Sequence, residues 1–333
     1  MGNEMPSLET GKVANGEILF LYDAKDTNPN GDPDSENRPR MDHVAGRILV
    51  SDVRLKRYVR EYLLARGEDI WVRLKEDGSR LDADGRRKEL EALYKEETGK
   101  EAAKGKELTP EFLSWLLERL RDIRLFGAVL PIKSGEDGGK GGTGQFVGPV
   151  QFDWGYSLHQ VEVYGARISS VFAGRTEGGK GQHGTFGVDY RVRYALIGFW
   201  GRISRNRAKA VGLSEADLEV LEKGLLEGLL EGATTRSKIG QTPRLYLRVD
   251  WKEGFKPLGD PRDGLQLHPK EGVSLEAIRQ VADYHLDASG LQSALERYRG
   301  QIARIRYWKH EDLEVKGLDL SRLGASVEPV AWI

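Results

Sequence analysis

The first strong pattern along the chain is a run of β-branched and aromatic residues at 18–22, which predicts a strand over 17–23. Asn-Pro, Asn-Gly and Asp-Pro pairs follow within 28–33. These turn dipeptides cannot continue a strand. The strand therefore ends in a rigid, turn-rich loop, and this loop presents Arg38 and Arg40.

Apolar residues then recur at helical spacing, which predicts an amphipathic helix over 47–66. Its apolar face carries Ile48, Leu55, Tyr58, Val59, Tyr62 and Leu63. The opposite face carries Lys56, Arg57 and Arg60, with Arg54 at its margin. These cations either bind a polyanion or form the solvated back of a core helix.

The next segment predicts a helical insertion, with helices near 85–104 and 110–124 and a glycine- and lysine-rich loop at 133–144. From 146 to 200 the pattern becomes β, with strands at 147–152, 161–172 and 188–199. The last two flank a glycine-rich tip at 174–187, so we expect a long protruding hairpin.

The C-terminal half alternates helices and strands. Ser214 with Asp217 resembles a capping box and predicts a helix over 214–231. A strand at 244–250, a helix near 274–284 and a strand at 301–308 follow. Along the chain the elements therefore run strand, helix, strands, helix, strand. This is the order of an α+β, ferredoxin-like fold, a sheet with two helices on one face. RNA-binding domains often use this plan and bind on the open sheet face, although many unrelated functions share it.

Charge is segregated along the chain although the net charge is only −1. Residues 38–60 contain seven bases and two acids, and residues 164–207 contain eight bases and two acids. By contrast, residues 215–231 contain six acids and one base. This distribution is what a basic groove on a neutral body requires.

Several classes of site are excluded or disfavoured. The chain has no cysteine, which excludes disulfides and thiolate zinc sites. Residues 26–31 match half of a calcium loop, but its twelfth position is Asn37. Residues 174–180 nearly match a phosphate loop, but Gly181 stands where Ser or Thr must hold magnesium. We expect no metal and no cofactor. Without a secretory signal or an apolar run of membrane-spanning length, we expect a cytoplasmic protein.

Three stretches resemble one protein family. They are Asn-Pro-Asn-Gly-Asp-Pro at 28–33 with Asn-Arg-Pro-Arg at 37–40, Ser-Asp-Val at 51–53 with the basic pair that follows, and Gly-Pro-Val-Gln-Phe at 148–152. They resemble the repeating backbone subunit of type I CRISPR Cascade, in the Csd/Csh branch of the Cas-seven superfamily, most like type I-B or I-C.

The resemblance implies a hand-shaped protein without nuclease activity. A modified RNA-recognition palm would span 15–66 and 146–333, with a thumb hairpin at about 167–193 and a fingers insertion at 67–145. Copies would polymerise head to tail along one CRISPR RNA, whose guide pairs with target DNA. The small, large and cap subunits of Cascade would be further partners.

The motifs and the charge pattern together give the candidate site residues. For RNA they are Arg38, Arg40, Lys56, Arg57, Arg60, Gln151, Arg175, Lys180, Phe186 and Arg236. For target DNA they are Lys133 and Lys140. Phe186 either wedges between bases or packs against a neighbouring subunit. Arg202, Arg205 and Arg207 follow the hairpin and either join the site or face solvent.

One enzymatic alternative remains open at this point. The backbone subunits of type III effectors cut target RNA with a loop aspartate and a metal ion. Here Asp26 or Asp34 would take that role.

Overall fold

The computed structural model describes residues 13–73, 81–104, 107–131, 143–169 and 186–331. The strands in chain order are β1 (Gly16–Thr27), β2 (Gly31–Asp32), β3 (Arg38–Pro39), β4 (Met41–Asp42), β5 (Arg47–Val50), β6 (Ala103–Lys104), β7 (Glu107–Leu108), β8 (Gly127–Pro131), β9 (Thr143–Val147), β10 (Val150–Phe152), β11 (Gly155–Ser157), β12 (Val163–Ser169), β13 (Phe186–Ile203), β14 (Gln241–Trp251), β15 (Gln266–Pro269), β16 (Tyr284–Asp287), β17 (Ile302–Lys309), β18 (Val315–Lys316) and β19 (Ser326–Pro329). The helices are α1 (Asp52–Ala65), α2 (Ala83–Thr98), α3 (Pro110–Arg119), α4 (Arg121–Phe126), α5 (Arg205–Val211), α6 (Glu215–Gly232) and α7 (Ser289–Glu296).

Strand β1 lies at the centre of one large mixed sheet. Its order is β19-β17-β14-β1-β13-β11-β5-β4, and β10 and β12 also pair with β13. The antiparallel register of β1 and β13 runs from Gly16 opposite Ile203 to Thr27 opposite Val192. The long β1–β13 pair thus links two distant ends of the molecule, and the loop after β1 lies at one of them.

Both faces of this sheet are covered in the part of the chain that the structure describes. Side chains alternate along β1, so Ile18 and Phe20 enter a core shared with α1 and α6. Leu19 and Leu21 enter a second core, formed with residues of the C-terminal third. The described chain therefore leaves no open sheet face of the kind that RNA-binding domains of this plan often use, because the C-terminal third covers it. A binding surface has to lie along the loops and edges instead.

Helices α1 and α6 pack closely on one face, as the sequence predicted for two helices. A Cβ on Gly228 would lie 2.6 Å from the backbone oxygen of Tyr58, and one on Gly224 would lie 3.1 Å from Cγ1 of Val59. Glycine at these α6 positions lets the two backbones approach. Helices α2 and α3 share this core, since Leu90 and Phe112 belong to the same cluster.

Many predicted elements are confirmed. Strands β12 and β13 form the antiparallel hairpin, and Ser214 and Asp217 form the capping box of α6. Strands β14 and β17 lie where the sequence placed strands.

One predicted helix begins too early, and another is wrong. Residues 47–50 form strand β5, paired with β4 and β11, and α1 begins only after its N-cap Ser51. Residues 274–284 form two 3₁₀ turns, Leu275–Ala277 and Val281–Asp283, that lead into β16. In 47–50 a short apolar run fits either periodicity, and pairing with β4 and β11 decided the outcome.

Candidate nucleic-acid interface

The loop that follows β1 is held in one shape by its asparagine side chains. Nδ2 of Asn28 donates to the backbone oxygen of Asn37 at 2.7 Å. Oδ1 of Asn30 accepts from the backbone nitrogen and the hydroxyl of Ser51, at 2.9 and 3.0 Å. Because Ser51 caps α1, the loop is fastened to the start of that helix. The loop therefore presents its arginines from a fixed backbone.

Arg38 stands at the surface on an aromatic support. Its guanidinium carbon lies 4.4 Å from the ring centre of Tyr190, and Nη2 donates to the Tyr190 hydroxyl at 2.8 Å. Nη2 also lies 3.4 Å from the exposed carboxylate of Glu36. The Arg38 side chain is still 55% exposed. Stacking on a ring positions a guanidinium and leaves donors free for an incoming anion.

Arg40 lies beside Arg38 in a groove of about 610 Å³, which we call the loop groove. Its Nη2 lies 3.1 Å from Oδ1 of Asp32. Tyr190 and Trp154, the latter 43% exposed, also line this groove. Arginines interleaved with accessible aromatic rings are typical of surfaces that bind single-stranded nucleic acid.

The structure brings Lys56 and Gln151 together, two residues that the sequence assigned from separate motifs. Nζ of Lys56 lies 2.9 Å from Asp52 and 3.1 Å from Oε1 of Gln151. The amide nitrogen of Gln151 donates to the backbone oxygens of Phe126 and Gly148. Lys56 is buried, at 8% exposure, and its charge is already satisfied within the protein.

The other two α1 candidates are also engaged with protein groups. Arg57 pairs with Glu61 and donates to the backbone oxygen of Val72. Arg60 is 12% exposed and pairs with the buried Asp122 at 2.9 Å. A solvated back is therefore wrong for this helix at Lys56 and Arg60, because the insertion packs against it.

Arg236 lies near the base of the hairpin and is 65% exposed. The hairpin residue Arg191 connects this region: it donates to the backbone oxygens of Asp26 at 2.7 Å and Arg236 at 3.3 Å, and to the carboxylate of Asp189 at 2.8 Å. Arg236 is 3.8 Å from that same carboxylate. The hairpin base, the end of β1 and the loop after α6 are thus joined at one point.

Four candidates lie outside the described residues: Lys133, Lys140, Arg175 and Lys180. Phe186 begins β13, and only its backbone is described. For these five residues the assigned roles stay predictions.

Two cations that are not among the candidate site residues extend the surface: Arg54, which the sequence placed only at the margin of a cationic helix face, and Lys238. The loop groove shares Arg40 and Trp154 with a neighbouring groove, which in turn shares Arg54 and Arg57 with a cleft between α1 and α6. We call the resulting row of cations the basic track; its members are Arg38, Arg40, Arg54, Arg57 and Lys238. Arg54 precedes Tyr58 by one helical turn and lies 4.4 Å from its ring centre. This spacing of four residues on a helix was the sequence signal that could have found Arg54. The sequence offers no such signal for Lys238.

A second group of arginines lies at the opposite end of the β1–β13 pair. Arg205 and Arg207 are exposed at the start of α5. Arg202 lies over the rings of Trp200 and Phe255, at 4.6 and 5.6 Å from their centres. These arginines do not join the basic track.

The two loop aspartates are placed differently from each other. Asp26 has a positive φ of 48° and accepts from the hydroxyl of Tyr164 at 3.0 Å. Asp34 is exposed on a short 3₁₀ turn. Within the described residues, no group of three or more His, Asp or Glu side chains is arranged to hold a metal ion. Nor is any described helix both long and apolar enough to cross a membrane.

The fold and the surface together define an α+β protein with a groove lined by arginines and aromatic rings. Residues 14–289 match the family model "CRISPR-associated protein Cas7". A relative described as "CRISPR-associated protein Cas7" from Haloferax volcanii is 34% identical over 299 residues, covering 86% of this chain and 84% of the relative. The chain belongs to the Cas7 family.

A solved structure supports the same fold. A chain of a "CRISPR RNA-guided surveillance complex, pre-nicking" superposes with a TM-score of 0.51 at 17% identity. The match covers 95% of this chain and 96% of that one. This likeness supports the fold over nearly the full length of the chain.

Proposed function

We propose that this protein is a non-catalytic backbone subunit of a type I CRISPR surveillance complex, and that it binds guide RNA and polymerises along it. One observation carries the proposal: in a chain of the Cas7 family, a fixed loop presents Arg38 and Arg40 at the head of a continuous basic track. The CRISPR-associated relative and the surveillance-complex structure support it.

The hand-shaped architecture is part of this proposal. Residues 15–66 and 146–333 form an RNA-recognition-like palm, and residues 67–145 form the fingers. The hairpin at about 167–193 is the thumb, with Arg175, Lys180 and Phe186 as its RNA contacts. The antiparallel pairing of β12 with β13 and the shared core of the insertion are consistent with this division.

A backbone subunit has to hold any guide sequence, so it must grip phosphate and ribose and leave base edges free. Arginine forks match phosphate oxygens. The exposed Arg38 and Arg236 and the half-buried Arg40 are the candidates for this grip. Lys56, Arg60 and the motif residue Gln151 stabilise the surface that carries these arginines, through their contacts with the insertion. Arg57 lies between these three residues and the RNA-contacting arginines.

The partners follow from the same function. Copies of the chain bind head to tail on one CRISPR RNA, and Lys133 and Lys140 contact target DNA from the fingers. Small, large and cap subunits complete the complex. We place the subunit nearest to types I-B and I-C, in the Csd/Csh branch, on the motifs given above.

A metal-dependent ribonuclease of the type III kind is not favoured. The backbone oxygen of Asp26 holds Arg191, and its carboxylate accepts from Tyr164. These contacts suit an aspartate that positions the base of the hairpin.

The proposal is tested by co-expression with a CRISPR array, followed by purification and measurement of absorbance at 260 relative to 280 nm. Wild type should retain RNA and give a ladder of oligomers that shortens as salt rises. Arg38→Glu with Arg40→Glu should lose RNA. The matched control is Arg205→Glu with Arg207→Glu, which reverses two exposed arginines outside the basic track.

A clean, salt-insensitive monomer from the wild-type gene would overturn the proposal. So would equal RNA loss in both double variants. Regular magnesium-dependent cuts in complementary RNA that vanish in Asp26→Ala or Asp34→Ala would favour the ribonuclease instead.

A further inference from the structure

The inner end of the basic track is a cleft of about 410 Å³ between α1, the end of α6 and the loop that follows. We call it the α1–α6 cleft. Its polar lining comprises Arg54, Arg57, Glu61, Glu231, Thr235 and Lys238. Of these residues only Arg57 is among the RNA candidates assigned from the sequence, and no comparison assigns the cleft a ligand.

Lys238 is held in place from two directions. Its loop is fastened to the end of β1, since the backbone nitrogen of Asn28 donates to the backbone oxygen of Ser237 at 2.9 Å and that of Lys25 donates to Gly240 at 2.8 Å. The Lys238 ammonium itself donates to the backbone oxygen of Asn28. The ammonium is thus preorganised at the wall of the cleft, which lowers the entropy lost when a ligand binds.

Arg54 lines the same wall of the cleft. Its Nη2 donates to the Tyr58 hydroxyl at 3.1 Å. Its Nε is buried and has no hydrogen-bond partner among the described residues. A buried donor without a partner costs free energy, so the environment of this guanidinium is polar but not fully satisfied by the protein.

The carboxylates of the cleft do not neutralise these two cations. Glu61 pairs with Arg57, and Glu231 pairs with Arg66. Neither Arg54 nor Lys238 forms an ion pair with any carboxylate in the described chain. Two neighbouring cations therefore lack a counter-charge.

This arrangement disfavours the charged form of Lys238. Burial lowers its pKa to about 8, and the nearby Arg54 guanidinium adds to the shift. Arg57 and Glu61 from α1 and Glu231 from α6 are the other charged groups of the cleft. An anion bound between Arg54 and Lys238 would remove the cost and favour the charged lysine.

We propose that the α1–α6 cleft binds a phosphodiester group of the RNA backbone between Arg54 and Lys238, with the Thr235 hydroxyl as a further donor. This inference rests on the proposed function and adds a subsite at the far end of the basic track from Arg38. Arg54 and Arg57 line both the cleft and the adjoining groove. An RNA strand that follows the basic track therefore reaches the cleft without a gap.

A consequence is that RNA binding takes up a proton at Lys238 above about pH 8. RNA affinity should therefore fall as pH rises through that value. Replacing lysine with arginine, which stays charged, should keep affinity and remove this pH dependence.

The test measures dissociation constants of a labelled single-stranded RNA of fixed length against the whole protein across this pH range. The variants are Lys238→Arg and Lys238→Met, and Arg207→Met is the control for loss of an exposed cation. At neutral pH we expect about tenfold weaker binding for Lys238→Met, a typical value for one charge-assisted contact. Thermal melts confirm that each variant is folded, and Lys238→Arg supplies the pH readout if Lys238→Met is not.

The outcomes separate this inference from the proposed function. If wild type binds RNA while Lys238→Met binds equally well, or Lys238→Arg keeps the wild-type pH profile, the cleft proposal is overturned and the function stands. If wild type does not bind RNA, the function fails first. A third arm adds millimolar inorganic phosphate without RNA. Stabilisation of wild type but not of Lys238→Met, with RNA affinity unaffected by that variant, would mean a free-phosphate site and would also overturn the proposal.

Discussion

Nε of Arg60 on α1 lies 2.9 Å from Oδ2 of Asp122 on α4, a carboxylate with no exposed surface. The other Asp122 oxygen accepts from the backbone nitrogen of Trp71 at 2.9 Å. One buried carboxylate thus ties α1 both to α4 and to the backbone at Trp71. This pair gives Arg60 a structural role, whichever contacts it makes with a ligand.

Truncation of Arg60 should therefore reduce stability. Arg60→Ala leaves the Asp122 carboxylate buried without its counter-charge, and breaking such a pair typically costs about 3–5 kcal/mol. We expect a fall of that order in the free energy of unfolding, measured by urea denaturation. Arg57→Ala, whose ion pair with Glu61 is partly exposed, is the matched control and should cost under about 1 kcal/mol. Equal losses in the two variants would contradict this role for Asp122.

His159 should make stability depend on pH. Its ring is buried beside Tyr194, and Nε2 accepts from the backbone nitrogen of Leu196 at 3.3 Å. Burial lowers its pKa to about 4 from an ordinary 6.5. The folded protein resists protonation of this ring while the unfolded chain does not. The neutral His159 ring therefore makes its full contribution to the free energy of unfolding above pH 6.5. This contribution is lost as pH falls from 6.5 towards 4, by about 3 kcal/mol at most.

Stability curves of wild type and His159→Gln measured over this pH range test the prediction. The variant keeps a polar side chain but cannot titrate, so the difference between the curves should shrink as pH falls. A constant difference for His159→Gln would refute the assignment.

Gly228 should not tolerate alanine. The new Cβ would lie 2.6 Å from the backbone oxygen of Tyr58, so α1 and α6 must separate. Alanine gains about 1 kcal/mol in helix propensity, yet overpacking against backbone commonly costs up to about 3 kcal/mol. We expect a net loss of about 2 kcal/mol in a denaturation experiment. Gly300→Ala, where a Cβ meets no described atom within 4 Å, should be nearly neutral; a neutral Gly228→Ala would contradict the close packing.

Loop arginines should set the salt dependence of RNA binding. Each phosphate contact with a single strand contributes about −0.7 to the slope of log affinity against log salt. Arg38→Ala with Arg40→Ala should make the slope shallower by about 1.4. Arg205→Ala with Arg207→Ala should leave it unchanged. Titrations at several chloride concentrations give the slopes, and an unchanged slope in the first variant would remove Arg38 and Arg40 from the phosphate grip.

Features fixed by local sequence could be predicted. Ser214 and Asp217 signal the start of α6 within three residues of each other, and the turn dipeptides at 28–33 place Arg38 and Arg40 on one loop. Such signals do not depend on the rest of the fold. Residues 47–50 were misassigned because their pairing with β4 and β11 decides their structure.

Features fixed by distant contacts could not be predicted. From the sequence alone, Lys56 is expected to be a solvated cation. In the fold, Phe126 and Gln151 cover its ammonium group. Likewise, Arg54 and Lys238 belong to segments far apart in sequence, and only the packing of α1 against α6 brings them to one cleft. Helical periodicity describes one element at a time and holds no information on such pairs.

The most direct test of the account is a structure of the guide-loaded particle determined by electron cryomicroscopy. We predict that the RNA backbone follows the basic track, with the guanidinium groups of Arg38 and Arg40 within hydrogen-bonding distance of phosphate oxygens and the base edges uncontacted by them. An RNA path along Arg202, Arg205 and Arg207, with the loop arginines facing solvent or reading bases, would contradict it.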